Sequence, residues 1–216
     1  PDARPADVAA CREAIGGRPV WLAASTHEGE EVAVAAAHRI IKARFPDLLT
    51  IIVPRHPHRG PAIHAMLEEG GLAVSRRSLG GTIDAAVEVY LADTLGELGL
   101  FYRVAPVAFL GGSLVPRGGQ NPIEPVYLDA AILHGPRVHN FADIYDVLDR
   151  AGQAEPVADA EALANAVAAL IADPATARLR ASGAAATLRS FGGALDETMR
   201  GLAPFLDGAA ARTEAP

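Results

Sequence analysis

Short runs of apolar residues alternate along this chain with longer segments that have the periodicity of helices. Residues 48–53, for example, read LLTIIV, and the helical segment 62–69 that follows ends at Gly70 and Gly71. Strands that are apolar throughout are buried on both faces, and the helices between them are the crossovers of a parallel sheet. The alternation therefore predicts an α/β fold with a doubly wound, Rossmann-like parallel sheet.

Six strands and seven helices are predicted in this way. The strands cover residues 19–24, 48–53, 72–75, 88–92, 107–110 and 131–133. The helices cover residues 31–45, 62–69, 95–104 and 142–151, followed by three Ala/Leu-rich C-terminal helices at 159–172, 175–190 and 194–206.

Composition excludes several classes of protein. Half of the 216 residues are apolar, which excludes a disordered chain. No apolar run approaches the roughly 20 residues that span a bilayer, and a single cysteine excludes an internal disulfide framework. A net charge of −7 argues against binding nucleic acid over a broad surface. The chain begins without an initiator Met or a signal peptide, and we expect it to be a piece of a longer protein.

The polar loops follow the carboxyl ends of the predicted strands, where ligands bind in such sheets. The first loop is STHEGEE, residues 25–31. Ser25 or Thr26 and the acidic residues after them can form a capping box. Alternatively, His27 and the helix N-terminus face a ligand. Both readings remain open.

The second loop places two arginines and two histidines at 55–59, directly after Pro54. An Arg at a strand end suits a phosphate, because its guanidinium makes bidentate contacts with anionic oxygens. The alternative is a solvated basic turn. The His-x-His pattern lacks a Cys partner or a His-x₃-His helix, so we expect no metal site.

The third loop begins with Asp93 and Thr94, either of which can cap the next helix. Gly96 in the first helical turn costs about 1 kcal/mol relative to Ala, and close approach of a ligand to the backbone would justify it.

The fourth loop, GGSLVPRGGQNPIEP, is long and rich in Gly and Pro. Gly111–Ser113 resembles a phosphate-binding turn, although it lacks the GxGxxG pattern and the P-loop Lys. Pro122 suits the start of a helix, and Glu124 in its first turn is either a helix-end carboxylate or an acceptor for two ribose hydroxyls. The middle of the loop, 114–119, has no assigned role, and we expect it to be mobile without ligand. In the fifth loop, Asn140 can cap a helix.

The order and spacing of these loops closely resemble the 3-deoxy-D-manno-octulosonic acid (Kdo) transferase family. Its members are inverting glycosyltransferases of the two-domain GT-B type, which move Kdo from CMP-Kdo to a lipid A precursor. The resemblance covers about residues 18–205 and corresponds to the C-terminal, donor-binding half. The chain departs from the family pattern at four positions. Leu95 replaces the expected Met, and Arg117 and Gln120 replace His. Tyr127 stands at about the position where the family has a small residue. The segments that carry it are ASTHEGEE, PRHPHR, ADTLGELGLFY, FLGGSLVPRGGQNPIEP and HGPRVHNF.

The resemblance implies a binding site for the donor. Pro54 and Arg55 would hold its phosphate and ribose side, and Glu124 would accept the ribose hydroxyls. Other contacts to the nucleotide would come from Leu95, Gly96, Glu97, Asn121, Pro122 and Ile123. The donor sugar would be bordered by Ser25, Thr26, Gly111, Gly112 and Ser113. No role follows for His27, His56 or His139.

The resemblance also implies what this chain lacks. The catalytic base of the family is a Glu in the N-terminal half, so we expect no catalytic residue here and no transfer by the isolated chain. The lipid A precursor and the membrane, on the cytoplasmic face of the bacterial inner membrane, would be contacted through that half. No cofactor, metal or nucleic acid is expected.

These expectations define three parts of the chain. Residues 1–17 would be a linker or helix from the N-terminal half, 18–206 the nucleotide-sugar domain and 207–216 a disordered tail. The alternatives are another GT-B enzyme, such as a UDP-sugar epimerase or a GlcNAc transferase, or a non-catalytic nucleotide-binding domain.

Overall fold

A computed structural model describes residues 3–190. The strands in chain order are β1 (Val20–Thr26), β2 (Leu49–Pro54), β3 (Val74–Arg76), β4 (Val89–Leu91), β5 (Val107–Leu110), β6 (Ala131–His134) and β7 (Ala154–Pro156). The helices are α1 (Pro5–Ile15), α2 (Glu30–Lys42), α3 (Gly60–Glu69), α4 (Leu98–Val104), α5 (Ile123–Val126), α6 (Ala142–Arg150) and α7 (Ala160–Ala172). Residues 174–190 are also helical.

All seven strands form one parallel sheet in the order β3-β4-β2-β1-β5-β6-β7. The chain moves outward from β1 on one side and then returns to its other side with β5. The strand order therefore reverses between β1 and β5, where a crevice for ligands opens in doubly wound sheets. The predicted fold class is confirmed.

The two faces of the sheet carry separate apolar cores, because successive residues of a strand point to opposite sides. In β1, Leu22 joins the core beneath α1, α4 and α6, whereas Trp21 joins the core beneath α2, α3 and α7. Both side chains are completely buried. None of the helices among residues 3–190 is long and apolar enough to cross a membrane.

Three elements differ from the sequence expectations. Helix α4 begins at Leu98 rather than at 95, because the preceding turn is held by side chains described below. The three-residue β7 carries no apolar run long enough to predict it, and the short helix α5 begins at Ile123, one residue after the Pro122 that the sequence suggests as its start. The part expected to be a linker or helix contains α1, which packs on α4 and buries Val8 and Ile15. The predicted helix 194–206 and the tail 207–216 lie outside the described residues.

A buried histidine lies at the amino edge of the sheet. The His38 Nδ1 atom is 2.8 Å from Thr50 Oγ1. Its Nε2 atom has no hydrogen-bond partner among the described residues and lies 4.0 Å from Glu88 Oε1. Burial, reinforced by nearby Lys42 and Arg39, lowers the pKa of His38 to about 4. The ring is therefore neutral in the folded protein at neutral pH.

We predict that His38 makes the fold sensitive to mild acid. An unfolded His titrates near its ordinary pKa, so between that value and about 4 the unfolded chain binds a proton that the folded protein does not. Stability contributed by the neutral ring is present above this window and falls as the pH drops through it, by up to about 3 kcal/mol. Denaturant unfolding of wild type and His38→Asn at several pH values measures this. The free energy of unfolding of the variant should fall less steeply with decreasing pH than that of wild type. Equal pH dependence of the two proteins would contradict the prediction.

Candidate functional site

The loops singled out in the sequence lie at the carboxyl edge of the sheet, which we call the rim. Ser25 and Thr26 end β1, Pro54 ends β2, and Gly111 follows β5 directly. The rim is close-packed at the β1–β5 junction, where Gly111 N–H donates to Ala24 O at 2.8 Å. A Cβ on Gly111 would lie only 2.5 Å from Ser25 O, so only glycine fits there.

A buried carboxylate ties the two sides of this junction together. Glu30, at the start of α2, is completely buried. Its oxygens accept the backbone N–H groups of Gly112 at 2.7 Å, Ser113 at 3.0 Å and Leu114 at 2.9 Å. A fourth N–H, that of His27, donates to the same carboxylate at 2.9 Å. The turn that resembles a phosphate site in the sequence is thus occupied by an anion of the protein itself.

The capping box by Ser25 or Thr26, one of the two readings of the first loop, is not formed. The residue before α2 is Gly29, and no side chain caps that helix end. Ser25 instead has a left-handed backbone, with φ 53°, at a bulge in β1. This conformation is uncommon for a residue other than glycine, and such residues cluster at functional sites.

The Ser113 side chain serves the interior rather than the rim surface. Its hydroxyl donates to Leu110 O at 2.5 Å and accepts the Gly135 N–H at 2.7 Å. The residue is completely buried. Ser113 therefore joins the ends of β5 and β6.

The two arginines of the second loop differ in their partners. Arg59 makes a bidentate ion pair with buried Glu31, at 2.7 and 3.0 Å, and Thr26 Oγ1 donates to the same carboxylate. The Arg55 side chain is exposed, and its backbone N–H donates to Thr26 O. Among residues 3–190 no carboxylate pairs with Arg55. Its guanidinium, unlike that of Arg59, can therefore contact a ligand anion.

The third loop is held by carboxylates that pair with residues at the end of β3 and directly after it. Asp93 does not cap α4. It accepts Arg76 Nε at 2.5 Å and both the N–H and the hydroxyl of Ser78. Burial opposes ionisation of Asp93, but these hydrogen bonds more than offset it and lower its pKa. Gly60 at the start of α3 lies directly against the Asp93 carboxylate.

Glu97 is the second such carboxylate. Arg77 donates to it through two nitrogens, with Nε 2.6 Å from Oε2, and Thr94 donates its hydroxyl. The Arg77 guanidinium lowers the pKa of Glu97, so this side chain is an anion already paired. Gly96 has φ 81° and Leu95 is 81 % exposed. The turn 95–97 therefore presents its backbone, rather than the Glu97 carboxylate, to the rim.

The middle of the fourth loop, expected to be mobile, is fixed by hydrogen bonds. Asn140 does not cap α6, and its side-chain amide donates to Arg117 O at 2.9 Å. Tyr145 Oη donates to Gln120 O at 2.8 Å, and Gly119 N–H donates to Gly112 O. The loop is thus fastened to α6 and to its own beginning.

A histidine supports this fastening from beneath. His134 packs against the Tyr145 ring at 4.4 Å between centroids, and its Nε2 atom lies 3.0 Å from Asp149 Oδ1. Tyr145 and His134 are almost completely buried. Neither was a candidate in the sequence, where only their burial within apolar runs could be anticipated.

The predicted nucleotide segment 121–124 extends this loop toward α4. Asn121 is exposed and its Oδ1 accepts the Ile123 N–H at 3.0 Å, forming an Asx turn. Pro122 precedes α5, and Glu124 is partly exposed in the first turn of that helix. Helix α5 packs on α4.

The rim histidines form a row rather than a metal site. The ring centroids of His27 and His56, and those of His56 and His58, are 5.7 Å apart. No group of three potential metal ligands exists among the described residues. Burial lowers the pKa of His27, and the charges of Arg117 and Arg55 act in the same direction, against the opposing charge of Glu30. His27 is therefore neutral at neutral pH.

A cavity of about 450 Å³ opens elsewhere, at the amino edge of the sheet. It is lined by the residues before β5 and β6, including Pro106 and Asp129. We place the candidate site at the rim instead, because the exposed Arg55, the turn 95–97 and the segment 121–124 all lie there.

No protein-family model matches the chain. Two curated relatives are 3-deoxy-D-manno-octulosonic acid transferases. That of Haemophilus influenzae is 36 % identical over 191 residues, and that of Bordetella pertussis is 36 % identical over 197 residues. Each alignment covers 88 % of this chain and 45 % of the relative. The chain thus spans less than half the length of these relatives.

A solved structure is similar over nearly its whole length. It is the C-terminal CMP-Kdo-binding domain of WaaA from Acinetobacter baumannii, with a TM-score of 0.79 and 32 % identity, and the match covers 86 % of this chain and 99 % of that domain. A trehalose 6-phosphate synthase from Burkholderia multivorans matches with a TM-score of 0.57 at 18 % identity, over 99 % of this chain and 48 % of the synthase. That second likeness concerns the fold alone.

We predict that Ser113→Ala lowers the free energy of unfolding by about 1–3 kcal/mol, because it leaves the buried Gly135 N–H without a partner. Denaturant unfolding measures the change. Ser182→Ala is the matched control, since its exposed hydroxyl bonds only within its own helix, and it should stay within about 0.5 kcal/mol of wild type. Equal stability of wild type and Ser113→Ala would contradict an interior role.

Proposed function

This chain belongs to the Kdo transferase family, and we propose that it is the part of the enzyme that binds the sugar-nucleotide donor, CMP-Kdo. The observation that carries the proposal is the meeting of the family-like loops at one edge of the sheet. The same donor is bound by the solved domain that this chain matches over 99 % of its length. The proposal assigns four loops of the rim to parts of the donor.

Arg55 would meet the phosphate. Its guanidinium is exposed at the end of β2, and no carboxylate among the described residues neutralises it. Pro54 is buried beside it and fixes where the chain leaves the strand. A cation at this position also stabilises the charge that develops on the departing CMP phosphate, which is the main contribution a donor domain can make to the reaction.

Glu124 would accept the two ribose hydroxyls. A carboxylate has two oxygens that can each accept one hydroxyl, and helix α5 sets its direction. Asn121, Pro122 and Ile123 would frame the nucleoside. The turn Leu95–Glu97 would face it through backbone groups, because the Glu97 carboxylate is held by Arg77.

Ser25, Thr26 and Gly111 would border the donor sugar at the β1–β5 junction. The left-handed Ser25 and the close approach of Gly111 shape that part of the rim. Gly112 and Ser113 would contribute shape rather than hydrogen bonds, since their N–H groups donate to Glu30.

The complete enzyme would transfer Kdo to a lipid A precursor in lipopolysaccharide biosynthesis, at the cytoplasmic face of the inner membrane. The resemblance places the base that deprotonates the acceptor in the N-terminal half of the family. We therefore propose that this chain binds CMP-Kdo without transferring the sugar, and that acceptor and membrane are contacted elsewhere in the enzyme.

Calorimetric titration tests the substrate class. We expect CMP to bind more tightly than UMP, UDP or UDP-GlcNAc, because the rim offers one unpaired arginine at the phosphate position and the family donor carries cytidine. Tighter binding of a UDP ligand would favour another GT-B enzyme instead. In a transfer assay with CMP-Kdo and a lipid acceptor the isolated chain should show no turnover, and turnover would contradict the placement of the base.

Two substitutions separate the ribose and phosphate contacts. Glu124→Gln should weaken binding of both CMP and cytidine by about tenfold or more, because it removes a charged acceptor of hydroxyls. Arg55→Ala should weaken binding of CMP by a similar factor and leave cytidine unchanged, because only CMP carries the phosphate. Titration of each variant with both ligands measures the difference.

A matched control is Glu161→Gln, which alters an exposed carboxylate in the first turn of α7. It should leave CMP affinity unchanged. The melting temperature of Glu124→Gln should remain within a few degrees of wild type. Unchanged CMP affinity in Glu124→Gln would show that this carboxylate does not contact the nucleotide.

A further inference from the structure

We propose that Glu30 is a specificity-determining residue of the rim, whose carboxylate occupies the place that a second nucleotide phosphate would take. The inference rests on the proposed function, because it requires a nucleotide at this edge of the sheet. It concerns the number of phosphates that the site accepts.

The N–H groups around Glu30 have the arrangement of an anion site. Three successive residues, Gly112, Ser113 and Leu114, direct their N–H groups to one carboxylate, and Gly112 has the left-handed backbone, φ 68°, that such a turn requires. Consecutive N–H groups in a turn of this kind bind phosphates in many proteins. Here the carboxylate of the same chain takes all three, together with the His27 N–H.

The site also lies where a phosphate would lie. It follows β5 at the β1–β5 junction, which is the point in a doubly wound sheet where nucleotide phosphates bind. His27, Gln120 and the Arg117 side chain surround Gly112 at 3.2–3.4 Å from the position of a Cβ. Glu30 is therefore enclosed beneath the rim surface.

The other charged residues of the rim also favour a nucleotide with a single phosphate. Arg59, Arg76 and Arg77 are paired with Glu31, Asp93 and Glu97. Among residues 3–190, Arg55, Arg117 and Arg137 are the rim arginines that no carboxylate pairs with, and Arg137 donates to Leu114 O. A nucleoside monophosphate can use Arg55 alone. A second phosphate would find the backbone N–H groups taken, and the buried negative charge of Glu30 would repel it.

The first arm of the test uses no nucleotide. In Glu30→Ala the atoms removed correspond to acetate, so acetate should enter and restore the hydrogen bonds. We expect acetate to raise the melting temperature of Glu30→Ala by at least about 3 °C more than chloride at equal ionic strength. Wild type and Glu28→Ala, which alters an exposed carboxylate of the same loop, should respond equally to the two salts.

If Glu30→Ala folds only when acetate is present, this recovery of folding also supports the anion site. Failure of acetate to act beyond chloride would overturn the assignment of these N–H groups as an anion site.

The second arm compares CMP with CDP by calorimetric titration of wild type, Glu30→Ala and Glu30→Gln. Glu30→Gln keeps the shape of the side chain and removes its charge. Wild type should prefer CMP by about tenfold, and both variants should reduce that preference at least about fivefold. Binding of CMP with an unchanged preference in both variants would overturn the role of Glu30. Absence of any CMP binding by wild type would instead overturn the proposed function.

Discussion

The carboxylate of Glu30 holds the rim together. It belongs to α2, yet it accepts backbone N–H groups from a loop more than eighty residues away along the chain. A buried charge is stable only when hydrogen bonds replace the water it has lost, and here four N–H groups do so. Because these bonds cross the β1–β5 junction, the ends of the two strands that border the crevice are fixed relative to each other.

The same principle recurs around the rim. Asp93 and Glu97 fasten the segment after β3 to the turn before α4, and Glu31 holds Arg59 beside β1. Partly buried ion pairs of this kind add little net stability, because removing charges from water opposes their attraction. Their effect is on geometry: they hold Arg59, Arg76 and Arg77 against carboxylates, whereas the side chains of Arg55, Arg117 and Arg137 stay exposed. The positive charge available to an anion therefore comes from these three exposed arginines rather than from every arginine of the rim.

The sheet could be predicted from the sequence, and the pairing of the rim side chains could not. Apolar runs such as 48–53 indicate buried strands directly, so the bounds of the six predicted strands agree with the structure to within about two residues. Glu30 and Asp93 followed from no local pattern. Both look like helix-end residues in the sequence, yet each forms its bonds with partners far away along the chain. Ser113 was assigned to the rim because it follows a strand end, whereas its hydroxyl joins two strands beneath it. The family resemblance located the loops without showing which side chains face outward.

The long Gly-rich loop is tied to the turn before α6 through Asn140 and to α6 through Tyr145, whose ring packs on His134. A loop that is already ordered loses little conformational entropy when a ligand arrives. Nucleotide binding at this edge would then be close to a rigid-body event, with a heat-capacity change that reflects only the surface covered by the ligand and none from folding of the loop.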